Sequence, residues 1–260
     1  PTLLGIVVIS VVRAVTLDGA SAGLAFLFTP DWSILSNPTV WLEALTQNAW
    51  DTGAGWGLIL TYGAYMQARH GIVTSSLMTG IGNNIVSLMA AVMIFGTVFA
   101  ILGAEMSRAE VLEVMQTSGP ASTGLTFIWM PQLLGTLPGG KVFATLFFLG
   151  LSFAAFTSLI SMIELSTRVL VDAGWERTKA VGTVIIFGIV VGSPSALNLT
   201  FLGNQDFVWG VALMISGALI ALAVRAYGIT AFRSEHIDAS EDRVKAGRVW
   251  EILIGYIVPL

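Results

Sequence analysis

Residues 47–57 read QNAWDTGAGWG, and their three alternating glycines interrupt the largely apolar segment of residues 37–68. Each glycine costs a helix roughly 1 kcal/mol relative to alanine, so three in five positions disfavour a continuous helix. We therefore expect one helix to end near Thr52, a second to begin beyond the glycines, and Gly53–Gly55 to be non-helical. In a membrane, such an unwound stretch survives only where protein or a wet cavity supplies partners for the freed backbone groups.

The aspartate in this stretch is a candidate for binding a cation. Asp51 would lie at the carbonyl end of the first half-helix, where the helix dipole disfavours a carboxylate and favours a cation. An unpaired charge at mid-membrane costs at least about 2.5–3.5 kcal/mol, so an acid at this depth is a candidate functional residue. Two alternatives stay open: a protonated Asp51 that caps the second half-helix, and glycines that serve only to pack helices together.

The composition places the chain in a membrane. Hydrophobic residues make up 55% of the 260 residues and charged residues 11%, which is too little charge for the surface of a soluble protein. Several segments approach the roughly 20 apolar residues that a spanning helix needs. The chain has no cysteine and two histidines, which excludes disulfides, thiolate metal sites and a histidine metal site. The sequence predicts an all-α, multi-pass membrane protein.

Six apolar segments are predicted to span the membrane, before an incomplete seventh at the end of the chain. They are Leu3–Leu17, residues 37–68, Ser75–Leu102, Val142–Val171, Thr178–Val191 and Phe207–Tyr227. A loop is expected to follow the first segment as far as Asn37, which would cap the second with Pro38 at its first helical position. Because both ends of the chain cut through apolar sequence, we expect residues 1–260 to form one transmembrane domain that is part of a longer protein.

The basic residues predict the orientation. Nine of them, Arg69 included, fall on one side of the predicted spans and three on the other, so the first side is predicted to be cytoplasmic. Residues 103–140 would then form an extracellular loop with short helices. Ser107 and Glu110 in this loop have the spacing of a capping box.

Two further spans place oxygen-bearing side chains on one helix face. Asn83 and Ser87 are four residues apart in the third span. In the fourth span, Thr157 and Ser158 come three and four residues after Ala154. Side-chain and carbonyl oxygens on one face suit a hard cation such as sodium. Hydrogen bonding between helices and small-residue packing explain the same spacings equally well.

Together these stretches resemble the neurotransmitter:sodium symporter family, over nearly the whole chain and in the family's order, as its helices five to eleven. The resemblance implies a LeuT-like fold, with the second inverted repeat, flanking helices and one broken helix. It rests on residues 47–65 as the broken sixth helix, Asn83 and Ser87 in the seventh, 124–131 in the fourth external loop, 153–158 in the eighth and 206–207 in the tenth.

The resemblance also implies roles for individual residues. The sodium ligands would be Asp51, Asn83, Ala154, Thr157 and Ser158. The substrate-binding residues would be Trp50, Asp51, Gly53, Trp56, Ser158 and Met162. The gate residues would be Asp206 on the outer side and Tyr65 with Asp172 on the inner side, and the positions that bind chloride in some members would be Gln47 and Ser87.

The chain departs from the family pattern at several points. Asp51 stands where serine or threonine is usual, and Trp50 where phenylalanine is common. The family's first helix, which supplies half of both sodium sites, is absent, so the missing N-terminal helices of the same protein are expected partners. A carboxylate and a chloride ion in one small region repel each other, so Asp51 predicts that chloride is not required.

We therefore interpret the chain as part of a sodium-coupled symporter of the plasma membrane that imports a small zwitterion, an apolar or aromatic amino acid, by alternating access. The expected partners are this amino acid, sodium and the lipid bilayer, with no nucleic acid. One alternative is a non-transporting receptor-like or scaffold protein with the same fold. Another is a membrane enzyme that uses Asp51 and Glu164 as an acid–base pair.

Overall fold

The computed structural model describes residues 2–67, 71–116, 124–239 and 241–259, so Arg69 lies outside the described residues. The α-helices are α1 (Thr2–Val15), α2 (Ala20–Phe28), α3 (Pro38–Thr52), α4 (Leu58–Gly63), α5 (Ile72–Leu102), α6 (Arg108–Gln116), α7 (Met130–Gly135), α8 (Gly140–Asp172), α9 (Arg177–Leu197), α10 (Leu199–Tyr227), α11 (Ile229–Phe232) and α12 (Gly247–Ile252). A 3₁₀ turn spans Trp32–Ser36, and π-helical turns span Leu125–Trp129, Arg233–Ile237 and Leu253–Ile257.

Four of these helices are long and apolar enough to cross a bilayer: α5, α8, α9 and α10. They correspond to the third to sixth predicted spans, and α10 begins at Leu199, earlier than the predicted Phe207. The prediction of a multi-pass α-helical membrane protein is confirmed. The second predicted segment is divided into α3, of 15 residues, and α4, of 6 residues, and each is too short to cross a bilayer alone.

The beginning of the chain differs from the prediction. The loop expected after the first segment contains a second helix, and α1 and the helical stretch that follows form a pair bent by 105°. Gly19 makes the bend with a φ of 85°, a left-handed conformation that glycine adopts without strain. Gly23 then lets α2 approach Phe95 so closely that a Cβ would collide with the Phe95 carbonyl. The sequence showed the glycines but not this contact.

Two predicted helix starts are confirmed. The Asn37 side chain accepts a hydrogen bond from the Thr39 amide at 3.0 Å, with Pro38 at the start of α3. Before α6, the Glu110 carboxylate accepts from the Ser107 amide at 2.8 Å, and the Ser107 hydroxyl accepts from the Glu110 amide at 3.5 Å. In both cases side chains supply partners for amides that lack a carbonyl within the helix.

Contacts divide the chain into two units. The first comprises Pro1–Ser33, Ile85–Ile160 and Gly192–Gly203, and the second comprises Ile34–Asn84, Ser161–Val191 and Asn204–Leu260. The core of the first unit is apolar, and Val98, Val111, Leu133 and Leu134 are fully buried in it.

In the second unit, an aspartate that follows α11 caps the start of α5. The Asp242 carboxylate accepts hydrogen bonds from the Thr74 amide at 2.7 Å and from the Thr74 hydroxyl at 2.6 Å. Gly71 leaves room for it, because a Cβ at this position would stand 2.5 Å from Asp242 Cγ. The hydrogen bonds from Thr74 hold the pKa of Asp242 below its ordinary value of 3.8. A distant segment therefore completes the helix end.

The substitution Asp242→Ala should lower the melting temperature of the full-length protein at pH 7. Because folding lowers the pKa of Asp242, the stabilisation is present above its ordinary pKa of 3.8 and is lost as the pH falls further. The difference in melting temperature between wild type and variant should therefore shrink between pH 5 and pH 3. Thermal unfolding in detergent measures it.

The matched control is Glu241→Ala, which removes an exposed neighbouring acid and should change the melting temperature little at any pH. An Asp242→Ala deficit that stays constant down to pH 3 would contradict the role assigned to the carboxylate.

Candidate functional site

The predicted break in the second apolar segment is present. Helix α3 ends at Thr52 and α4 begins at Leu58. The glycines at 53, 55 and 57 have φ values of 73°, 79° and 79°, all in the left-handed region that other residues rarely adopt. The glycines are needed for their backbone conformation, and the alternative in which they only pack a continuous helix is wrong.

Helix α10 supports the break from one side. A Cβ on Gly55 would collide with the Leu213 carbonyl, so this position requires glycine for contact as well as for conformation. The Ser216 hydroxyl donates a hydrogen bond of 2.6 Å to the Gly55 carbonyl. One turn before Leu213 on α10, Gly210 lets α3 approach closely: a Cβ there would collide with the Thr46 side chain and stand 3.1 Å from Trp50 Nε1.

The two tryptophans that flank the break are in contact. The Trp50 and Trp56 rings lie 4.6 Å apart between centroids at an interplanar angle of 70°. Such edge-to-face pairs contribute about 0.5–1.5 kcal/mol beyond the area they bury. Both indole N–H groups are buried with no hydrogen-bond partner among the described residues. A donor in this state gains from a polar group or water that comes within reach.

Asp51 lies on the last turn of α3, at its carbonyl end. Gln47, one turn earlier, donates a hydrogen bond of 2.9 Å from its amide to Asp51 Oδ1. The same turn is closed by the Thr52 hydroxyl, which donates to the Asn48 carbonyl at 2.6 Å. The carboxylate is therefore oriented by a neutral amide, next to carbonyls that the end of the helix leaves without amide partners.

Asn83, the second predicted ligand in this unit, lies on α5 and is partly buried. Its Nδ2 atom is buried with no hydrogen-bond partner among the described residues. The neighbouring Asn84 accepts a hydrogen bond of 3.5 Å from Asn48 Nδ2, which links α5 to α3.

The first unit holds the remaining predicted sodium ligands. The Thr157 hydroxyl donates to the Ala154 carbonyl at 2.7 Å, so these two oxygens are adjacent on α8. Ser158 follows directly and is exposed. Hydroxyl and carbonyl oxygens are ligands of the type that sodium accepts. Ser87, one of the predicted chloride positions, also belongs to this unit.

A charged cluster surrounds the predicted inner-gate tyrosine in the second unit. The Tyr65 hydroxyl donates to Glu164 at 2.7 Å, and the Arg177 guanidinium binds both Glu164 oxygens at 3.0 and 2.7 Å. The Arg168 guanidinium lies 5.9 Å from the centroid of the Tyr65 ring. This cluster ties the segment after α4 to α8 and to the start of α9. Both oxygens of Glu164 are occupied, which counts against its use as an acid–base partner.

The other predicted gate and pocket residues are partly buried or exposed. Asp172 is the last residue of α8 and is exposed, Asp206 is partly buried on α10, and Met162 on α8 is 37% exposed. Sequence reasoning did not find Ser216, Gly210 or Arg177. The pairing of Arg177 with Glu164 could have been predicted, since Glu164 is an acid in an apolar segment and Arg177 is a basic residue at the start of the next helix.

Comparison with known proteins gives a consistent result. A sequence profile of the sodium:neurotransmitter symporter family matches residues 3–259. The chain is 30% identical over 267 residues to an uncharacterized sodium-dependent transporter of Methanocaldococcus jannaschii, covering 100% of this chain and 52% of that protein. It is 28% identical over 258 residues to sodium-dependent nutrient amino acid transporter 1 of Drosophila melanogaster, covering 96% of this chain and 39% of that protein.

Among solved structures, the chain is similar to MhsT in complex with L-phenylalanine. The TM-score is 0.84 at 26% identity, and the similarity covers 100% of this chain and 58% of that one. The predicted LeuT-like fold is confirmed. The chain spans about half the length of the proteins it matches.

The two glycines of the break predict different costs of substitution. Gly53→Ala should cost about 1–2 kcal/mol of stability, because alanine must adopt a positive φ there. Its Cβ meets no described atom within 4 Å apart from its chain neighbours, so no clash adds to this cost. Gly55→Ala should cost about 1–3 kcal/mol more, because its Cβ also meets the Leu213 carbonyl. Thermal unfolding of the two variants in detergent compares them, and equal losses would mean that α10 does not restrain the break.

Proposed function

Because the chain belongs to the sodium:neurotransmitter symporter family, we propose that it forms part of a sodium-coupled symporter that moves a small zwitterion across the plasma membrane. The observation that carries the proposal is the break between α3 and α4. A helix that stops inside a membrane segment presents a carbonyl end, which attracts a cation, and the next helix presents an amide end, which attracts a carboxylate. Alternating access around this break would couple the movement of sodium to the movement of the zwitterion.

The proposed substrate is an apolar or aromatic amino acid. Trp50 and Trp56 offer large ring surfaces at the two ends of the break, and the Cβ position of Gly53, in the stretch between them, is open. Of the similar proteins, one is described as a nutrient amino acid transporter and another was crystallised with L-phenylalanine. An aromatic or aliphatic side chain gains from contact with such rings, whereas a charged one loses its hydration.

Two groups of oxygen atoms are proposed to bind sodium. In the second unit they are Asp51 and Asn83, with Asp51 held by Gln47 at the carbonyl end of α3. In the first unit they are the Ala154 carbonyl and the hydroxyls of Thr157 and Ser158. Binding of a cation at the carbonyl end offsets the unfavourable effect of the helix dipole on the carboxylate, which supports sodium as a co-substrate.

The proposed transport does not need chloride. Gln47 is one of the two positions that resemble the chloride site, and its amide already donates to the Asp51 carboxylate. An ion of the same sign about 5 Å away would be repelled by about 3 kcal/mol at an effective dielectric constant near 20. Asp51 is therefore proposed to supply the negative charge that chloride supplies elsewhere.

The gate roles of Asp206, Tyr65 and Asp172 are part of the same proposal. The bonds of Tyr65 to Glu164, and of Glu164 to Arg177, support an inner gate that closes through polar contacts. The enzyme alternative is abandoned, because the family consists of transporters.

The central test is uptake by the full-length protein in sealed proteoliposomes. Large neutral amino acids, with L-phenylalanine as the probe, should be taken up in sodium, and uptake should fall at least tenfold when choline replaces sodium. Glutamate and lysine should compete poorly. The double variant Thr157→Val with Ser158→Ala should lose the sodium-dependent uptake while it stays folded, because it removes two proposed ligands.

The matched control is Thr145→Val with Ser152→Ala on the same helix, since both hydroxyls donate only to carbonyls one turn earlier in the hydrogen bonds described. This control should transport normally. Uptake that is equal in choline, or preference for a charged amino acid, would refute the proposal. Sodium-dependent binding without uptake would favour the receptor-like alternative.

A second test concerns chloride. Replacing chloride by gluconate should leave uptake unchanged, because Asp51 already provides the negative charge. The variant Asp51→Ser should lose most uptake in gluconate and regain part of it when chloride is restored. A strong loss of wild-type uptake in gluconate would mean that Asp51 does not replace chloride and that the chloride site is used.

A further inference from the structure

The hydrogen bond from Ser216 to the Gly55 carbonyl joins two elements that lie 161 residues apart in the chain. Serine inside a helix commonly donates to the carbonyl four residues earlier in its own helix. Here the hydroxyl crosses instead to the middle of the break. Among the described residues it is the donor to this carbonyl, which has no amide partner because residues 53–57 are not helical.

The backbones of the two elements also touch around this bond. A Cβ on Gly55 would stand 3.3 Å from the Gly217 amide nitrogen, besides meeting the Leu213 carbonyl. The Gly55 peptide thus lies directly on α10, and its carbonyl points at the one hydroxyl of that turn. The backbone contact fixes the distance between the elements, and the hydrogen bond fixes the direction of the Gly55 carbonyl.

We propose that Ser216 is a positioning residue for the substrate site, and that its bond to Gly55 sets the conformation of the unwound stretch between Trp50 and Trp56. Gly55 precedes Trp56 directly, so a rotation of its peptide turns the Trp56 backbone. Trp50 is held on the same helix, where Gly210 gives it space. The Trp50 ring therefore lies next to α10 and the Trp56 ring contacts Trp50, while Ser216 joins the backbone just before Trp56 to the same helix. The inference rests on the proposed function.

The test uses the full-length protein with Ser216→Ala and the conservative variant Ser216→Thr, which keeps a hydroxyl. Ser152→Ala is the matched control, since its hydroxyl donates to the Phe148 carbonyl within the same helix at 2.8 Å. The first measurement is amide hydrogen–deuterium exchange of residues 53–57. Ser216→Ala should speed exchange there about two- to tenfold, the effect of one hydrogen bond, while the threonine variant and the control stay close to wild type.

The second measurement is the kinetics of L-phenylalanine uptake, which separates positioning from stability. In Ser216→Ala the KM should rise about two- to tenfold while the maximal rate per folded molecule stays within twofold, and Ser216→Thr should restore the KM. A merely structural role would lower the amount of folded protein and leave the KM unchanged.

Unchanged exchange in Ser216→Ala would overturn the inference, and so would faster exchange with an unchanged KM. The exchange measurement needs no substrate. If no amino acid is transported by the wild type, the proposed function fails, whereas the effect of Ser216 on residues 53–57 is still decided by exchange.

Discussion

Backbone groups that leave a helix inside a membrane need hydrogen-bond partners, and this constraint shapes the second unit. The break at residues 53–57 frees carbonyls and amides that would cost several kcal/mol each in hydrocarbon. The Trp56 amide bonds to the Gly53 carbonyl within the turn, and the Thr61 amide returns to the Gly57 carbonyl at the start of α4. The Ser216 hydroxyl on α10 donates a hydrogen bond to the Gly55 carbonyl, which lies between these two. The unwound stretch thus exists because a neighbouring helix supports it.

Local features of the structure were predictable from the sequence, and long-range ones were not. The break, the Asn37 cap and the Ser107–Glu110 capping box follow from residues within four positions of each other. The bond between Ser216 and Gly55, and the cap of α5 by Asp242, join residues more than 150 positions apart. Composition and periodicity describe one element at a time, so they do not reveal which serine or aspartate completes another helix.

The same distinction applies to charge. The sequence marked Asp51 and Glu164 as acids inside apolar segments, but their surroundings differ. Glu164 binds a guanidinium through both oxygens, so its charge is compensated by the protein itself. The hydrogen bond from Gln47 orients the Asp51 carboxylate without adding charge. The bonds of Glu164 join α8 to the start of α9, whereas Asp51, at the carbonyl end of α3, is proposed to bind a cation.

The three glycines of the break also differ in what surrounds them, and this difference bears on movement. Gly55 lies on the backbone of α10, and a Cβ on Gly57 would stand 3.2 Å from the Leu165 side chain. Around Gly53, no described atom other than those of its two chain neighbours lies within 4 Å of the Cβ position. Of the three glycines, Gly53 therefore has the most open surroundings for a rotation between α3 and α4. Because Gly53 directly follows the turn that carries Asp51, a change in the position of α3 relative to the break would change the surroundings of the carboxylate while Gly55 stays on α10.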